Sequence, residues 1–161
     1  MLIIYFLGAV LLAVLDQLSK LAVLQFLKPV TTIPILEGIF HLTYCENRGA
    51  AFGILQGRFG LLFVITALVV LVVTVYMIKR KPKNPLLVSA ITLLIGGALG
   101  NLIDRVFRGF VVDFLDFALI HFPVFNLADC FVVVGAVLLI FYVLFFDTDK
   151  LKKESEEIQS E

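Results

Sequence analysis

The chain has 161 residues, 61% of them hydrophobic, with a mean hydropathy of +1.06 and a formal net charge of zero. Soluble domains average roughly 45–50% apolar residues, so this composition describes an integral membrane protein of one compact domain. Zero net charge gives no reason to expect a nucleic-acid partner, and two cysteines, Cys45 and Cys130, are too few for a disulfide framework or a four-thiolate zinc site.

The first candidate span is Leu2–Leu27. A membrane-crossing helix needs about 20 mainly apolar residues, and here the run is interrupted by Asp16, Gln17 and Lys20. No basic residues precede Leu2 and no small-x-small cleavage site follows. The segment is therefore expected to persist as a transmembrane helix rather than leave as a signal peptide. Asp16 and Lys20 stand at i and i+4, on one helix face, and are expected to form an internal ion pair. Gln17 can hydrogen-bond across a bundle.

Segment Lys28–Arg58 is too long for a simple turn. Ile39–Tyr44 (IFHLTY) has strand composition and predicts a small extracytoplasmic sheet or a flap over the bilayer surface. The run after it, ENRGAAFGILQG, carries Gly49, Gly53 and Gly57 at spacing four, either one close-packing helix face or a set of hinges. Phe59–Ile78 is the second candidate span and has no charge. The loop after it, KRKPKN, holds Lys79, Arg80, Lys81 and Lys83 and should be cytoplasmic.

The third candidate span, Pro85–Ile103, carries Gly96, Gly97, Gly100 and Asn101, and Asp104 closes it. The outer segment Asp104–His121 contains Arg105 and Asp113. The fourth span, Phe122–Phe146, contains Asn126 and Asp129, which places Asp129 about 10 Å into the membrane at the helical rise of about 1.5 Å per residue. Residues 1–149 then form a single four-span domain, an all-α membrane protein with a small outer sheet. Residues 150–161 form a charged tail whose Lys150, Lys152 and Lys153 put it, with the N-terminus, on the cytoplasmic side.

An ionised Asp at a helix centre costs about 2.5–3.5 kcal/mol on insertion scales, so residues of this kind mark functional sites by default. Topology brings Asn101, Asp104, Asp113, Asn126 and Asp129 to one level near the outer edge of the bilayer. Asn101–Asp104 and Asn126–Asp129 repeat one spacing, Asn three residues before Asp, so each Asn can orient its own Asp. Arg105 can neutralise a carboxylate or clamp a substrate carbonyl. Two carboxylates held close share a proton. The ionised member can take a proton from water while its partner protonates the carbonyl or the leaving amine, which hydrolyses an amide with no metal, no cofactor and no covalent intermediate. Asp113 and Asp129 are the chosen pair. Asp104 competes, but its neighbour Arg105 suggests a structural salt bridge.

Other hydrolytic designs fit poorly. His41 and His121 form no HExxH pattern. Ser19 and Lys20 are adjacent and point about 100° apart on a helix, which opposes a Ser–Lys dyad. Leu42–Cys45 loosely resembles a lipobox but follows polar residues rather than a signal-peptide core. On spacing alone three readings stay open: a carboxylate protease, a small transporter or proton relay, and a structural membrane protein.

Five strings in order resemble the bacterial lipoprotein signal peptidase (signal peptidase II) family: DQLSK (16–20), NRGAAFG (47–53), GGALGNLIDR (96–105), VVDF (111–114) and FNLAD (125–129). The resemblance covers most of the chain and departs at no motif position. It implies four transmembrane helices with a small extracytoplasmic β-sheet and a surface helix. The implied activity is that of a multi-pass aspartic endopeptidase of the bacterial inner or plasma membrane. It would cut diacylglyceryl-modified prolipoproteins before the lipidated Cys, near the outer leaflet. By the same resemblance Asp113 and Asp129 are the catalytic pair, and Asn101, Arg105 and Asn126 line the substrate or inhibitor site. Asp104 supports activity or stability, Asn47 and Gly49 belong to a motif near the bound ligand, and Asp16 and Lys20 are mainly structural. Membrane lipids and the cyclic peptide globomycin are the further implied partners, and a lid drawn from Lys28–Arg58 would cover the site during cleavage.

Overall fold

The computed structural model describes residues 2–49 and 59–147. The expected surface helix, Gly53, Gly57 and the charged tail lie outside the described residues, as does all of the lid segment after Gly49. Four helices are long and apolar enough to cross a membrane: Ile3–Leu27, Gly60–Arg80, Pro85–Arg108 and Leu127–Phe146. They belong to α1 (Leu2–Ala22, extended by a π-helical turn Val23–Leu27), α2 (Phe59–Arg80), α3 (Pro85–Arg108) and α4 (Leu127–Tyr142, extended by a π-helical turn Val143–Asp147). Between α1 and α2 lie the strands β1 (Thr32–Leu36) and β2 (Phe40–Asn47), and between α3 and α4 lies β3 (Val111–Asp116). The strands form one antiparallel sheet in the order β1-β2-β3.

Helix α2 runs two residues past the expected Ile78, to Arg80, and two boundaries near the polar residues differ from the hydropathy reading, each for a local reason. Helix α3 does not end at Ile103 but continues to Arg108, where Gly109 takes the left-handed conformation (φ 76°) that closes a helix. Asp104 therefore lies inside the helix, one turn before its end. Helix α4 begins not at Phe122 but at Leu127, because the chain before it pairs with β3. Phe125 O accepts from Phe114 N (2.9 Å) and Leu115 N (2.8 Å), and Phe125 N donates to Leu115 O (3.0 Å). Asp129 thus sits in the first turn of α4 and not about 10 Å inside the span. The other end of α3 follows its sequence signal. Asn84 Oδ1 accepts from Leu86 N (2.9 Å) and Leu87 N (3.3 Å), with Pro85 in the first turn.

Helix α3 is the centre of the bundle and packs against α1, α2 and α4. Lipid tails are as apolar as Leu, so helices in a bilayer associate by close packing and polar contacts rather than by hydrophobic burial. The glycines on α3 make that approach possible. A Cβ on Gly96 would lie 2.7 Å from Leu12 Cβ on α1, and one on Gly97 would overlap Ala128 O on α4. At the end where α2 turns into α3, Ala9, Met77, Leu87, Val88, Ile91 and Ile95 form one apolar cluster. At the other end Val23 and Leu27 pack on Val112 and Phe114 of β3, which seats the sheet on the end of α1.

Candidate active site

Strand β3 supplies the first carboxylate. Side chains alternate across a strand, so Val112 and Phe114 enter the apolar cluster under the sheet while Asp113 turns the other way. Asp113 stands opposite Cys45 of β2, and Asn47 is its diagonal neighbour. Asn47 Nδ2 donates to Asp113 Oδ2 (2.8 Å), and Gly49 N donates to Asn47 Oδ1 (2.9 Å), which fixes the orientation of that amide. Asp113 is 1% exposed. Burial, followed by the Asp129 charge, pushes its carboxyl up to about 7 against the opposing pull of Asn47, Asn126 and Lys20.

The start of α4 supplies the second. Asn126 is the N-cap: its Oδ1 accepts from Asp129 N (3.0 Å), and Asp129 Oδ2 accepts from Asn126 N (3.1 Å). This reciprocal box leaves the Asn126 amide group free to reach outward. Asn126 Nδ2 donates to Asp113 Oδ1 (2.6 Å) and to Asn101 Oδ1 (3.1 Å). One residue therefore holds both carboxylates, Asp129 through its backbone and Asp113 through its side chain.

Asn101, on α3, completes the link. Its Nδ2 donates to Asp129 Oδ1 (2.7 Å), and its Oδ1 accepts from Lys20 Nζ (2.9 Å). The two Asn-x-x-Asp pairs thus behave differently. Asn126 binds its own Asp129, as expected, because it caps a helix start. Asn101 lies mid-helix, where the backbone amides are already bonded, and it crosses to Asp129 instead of serving Asp104.

Asp104 belongs to an ion network beneath the carboxylate pair. Lys20 Nζ lies 2.9 Å from Asp16 Oδ2 and 3.1 Å from Asp104 Oδ2, with all three side chains fully buried. Asp104 Oδ2 also accepts from Val112 N (2.9 Å), and its Oδ1 accepts from Gln17 Nε2 (3.0 Å) and from Arg108 Nη1. Each Asp104 oxygen therefore carries two donors. The expected Asp104–Arg105 salt bridge is not what forms. Successive helical residues diverge by about 100°, whereas Arg108 at i+4 shares the face of Asp104. Arg105 instead donates to Asn101 O (3.3 Å) and faces Asp129 and Asp113 electrostatically. Asp16 pairs with Lys20 as expected and also reaches α4, where its Oδ1 accepts from Ala128 N (3.0 Å). Gln17 bonds across the bundle to Gly100 O (3.0 Å). Arg108 is the residue that sequence reasoning missed; its i+4 spacing from Asp104 was the available signal, hidden by placing the end of α3 at Ile103.

The arrangement holds one deeply buried carboxyl and one half-buried carboxyl, each bound by amide donors, with a guanidinium beside them. Asp129 has one N–H donor on each oxygen and stays partly exposed, so water can reach it. That is a geometry for moving protons between a water and an amide.

Comparison with known proteins follows the same lines. Residues 8–145 match the family described as signal peptidase (SPase) II. The chain is 53% identical to a lipoprotein signal peptidase of Clostridioides difficile, over 90% of this chain and 97% of that protein. It is 53% identical to one of Halothermothrix orenii over 80% and 87%, and 43% identical to one of Brevibacillus brevis over 91% and 97%. A bacterial membrane enzyme structure determined in meso at 2.3 Å resolution superposes with a TM-score of 0.82 at 35% identity, covering 91% of this chain and 90% of that one.

Proposed function

This chain belongs to the signal peptidase II family, and on that premise we propose that it is an aspartic endopeptidase that removes signal peptides from prolipoproteins. The observation that carries the mechanism is the double hold of Asn126 on Asp113 and Asp129. A carboxyl with a pKa of about 7 keeps about half of its population protonated at neutral pH, where an ordinary carboxyl is almost fully ionised, which fits Asp113 for the acid role. Asp129 takes a proton from the attacking water. Asp113 protonates the carbonyl oxygen as the water oxygen bonds to the carbonyl carbon. When the tetrahedral diol collapses the C–N bond breaks, Asp129 gives the water's proton to the leaving amine, and Asp113 takes back a hydroxyl proton, which restores both carboxyls. Arg105 and Asn101 hold the charge and the geometry of that pair. Asp104, with two donors on each oxygen, has no capacity left for a water and stays in the scaffold.

The substrate class follows from the family and from the membrane. The substrate is a prolipoprotein with a diacylglyceryl-modified Cys, cut just before that residue. Its lipid keeps it in the bilayer, so it enters laterally and presents the scissile bond at the outer lipid–water boundary. The basic stretch Lys79–Lys83 supports a topology with both termini inside a bacterial cell membrane and, with it, the sheet and the dyad at the outer leaflet. Globomycin should occupy the same site.

The test is a gel-shift cleavage assay in nanodiscs with a diacylglyceryl-modified prolipoprotein. Wild type should yield the shorter product. Asp113→Asn and Asp129→Asn should each remain folded and lose at least about a thousandfold in rate, the scale of acid–base catalysis. Product from Asp129→Asn at the wild-type rate would break the dyad, and ion flux without product would favour a transporter.

A further inference from the structure

Lys20 Nζ has three protons and three acceptors: Asp16 Oδ2, Asp104 Oδ2 and Asn101 Oδ1. Neutralising two buried carboxylates accounts for two of these contacts. The third has a separate consequence. An ammonium only donates, so the Asn101 oxygen must face Lys20 and the Asn101 amide nitrogen must face away from it. That nitrogen is the group that donates to Asp129 Oδ1 (2.7 Å). The same Asn101 oxygen accepts from Asn126 Nδ2, whose other contact is Asp113 Oδ1 (2.6 Å). A flipped Asn101 would set NH2 against NH2 at Asn126 and present an oxygen to the Asp129 carboxylate.

We propose that Lys20 is a positioning residue for the carboxylate pair, acting through Asn101 to fix the amide orientation that binds Asp129 and, through Asn126, Asp113. The inference rests on the dyad reading above and gives that reading a control element on α1. It also separates Lys20 from a purely structural role: the ion network holds the helices together, and its lysine orients the amides of the site. The charged and titratable groups around it are Asp16 on α1, Asp104, Arg105 and Arg108 on α3, Asp113 on β3 and Asp129 on α4. Asp113 is the one of these outside the spans, and the Lys20 charge favours its ionised form.

Lys20→Met alone leaves Asp16 and Asp104 buried with one cation fewer, and loss of folding would explain any loss of activity. The decisive variant is therefore the charge-balanced double Lys20→Met/Asp16→Asn. The asparagine introduced by Asp16→Asn retains an oxygen for Ala128 N, and Asp104 keeps Arg108 and Gln17. The full-length double variant in nanodiscs is assayed against the lipidated prolipoprotein over a pH series, beside wild type and Asp129→Asn. The expected double variant melts like wild type, loses at least about tenfold in kcat with KM within about twofold, and shows its alkaline limb at higher pH. A double variant that unfolds, that cleaves like wild type, or that loses rate with the alkaline limb unmoved makes Lys20 scaffold only and overturns the assignment. Asp129→Asn separates the two levels. Its silence keeps the dyad even where the Lys20 assignment fails, and its activity removes the dyad itself.

Discussion

At the residue scale, Asn126 does two separable jobs. Its oxygen caps α4 by accepting from Asp129 N, and its amide nitrogen spans Asn101 and Asp113. Serine is as good an N-cap as asparagine, whereas alanine costs about 0.5–2 kcal/mol at such a position. Asn126→Ser should therefore melt within about 1 kcal/mol of wild type by the same capping scale and yet cleave about a hundredfold more slowly, at the low end of acid–base effects. Thermal unfolding and the cleavage assay on one preparation test the split, and equal losses in both would reduce Asn126 to a cap. Asp113 carries the pH prediction. Its carboxyl is raised from 3.8 to about 7, so the protonated acid persists up to neutrality and is lost above it. kcat/KM should fall as pH rises through about 7, and the falling limb should be absent from the residual rate of Asp113→Asn. The sign for stability is the same. Between 3.8 and about 7 the folded state holds a proton that the unfolded chain has released, so this group's contribution is largest at low pH and is lost as pH rises through about 7. The residues that gather at the candidate site were readable in the sequence because charged side chains in apolar runs are conspicuous. Their pairing was less so: nothing in the spacing says that Asn101 serves Asp129 and not Asp104, since that depends on which Asn meets a helix start.

At the element scale, the site exists because α3 and α4 approach closely enough for Asn101 to reach Asp129. Gly97 is one place where they touch, against Ala128 O and the Val132 side chain, and Gly100 sits against Asp16 Oδ2, where a Cβ would lie 2.5 Å away. Backbone carbonyls do not swing aside as a flexible side chain would. Gly97→Ala should force the two helices apart, cost about 1–3 kcal/mol as overpacking does, and disconnect Asn101 from Asp129. Gly60, on α2, has nothing within 4 Å of an added Cβ, and Gly60→Ala should leave stability the same or slightly higher. Melting curves of the two variants, with cleavage rates alongside, make the comparison; equal behaviour would mean that the crossing has slack. The close-packing glycines were legible, because Gly96, Gly97 and Gly100 cluster on one helix. The element ends were not. Phe122–Phe125 is apolar whether it is helix or a strand partner, so hydropathy ran the fourth span too early. Val111–Asp116 reads as a connection until β2 is there to pair with it. Gly109 was the overlooked sign that α3 runs on to Arg108.

At the scale of the whole molecule, the polar groups gather at one end of the bundle and the apolar cluster of Ala9, Met77, Leu87 and Val88 at the other. Helix α2 stands to the side, packed on α3, with nearly all of its apolar residues outside the bundle core, so its surface belongs to lipid. The polar end is the costly one to keep in a membrane, and it is covered by the sheet that Val112 and Phe114 seat on α1. A lipid-anchored peptide can meet water only at such an end, so the reading as a peptidase of exported prolipoproteins depends on which way this end faces. The basic residues between α2 and α3 carry the expected direction: Lys79 and Arg80 in the last turn of α2 and Lys81 and Lys83 after it all lie opposite the sheet along the spans. The β1–β2 turn, with exposed Glu37, marks the other face. In a background with Cys45→Ser and Cys130→Ser, a membrane-impermeant maleimide should label Glu37→Cys in spheroplasts and label Lys81→Cys only after the membrane is opened. The reverse pattern would turn the bundle over and bring the carboxylate pair to the cytoplasmic face. A site there would meet its substrate's scissile bond on the wrong side of the bilayer, and the assignment as a signal peptidase acting at the outer leaflet would fail whatever the geometry of the dyad.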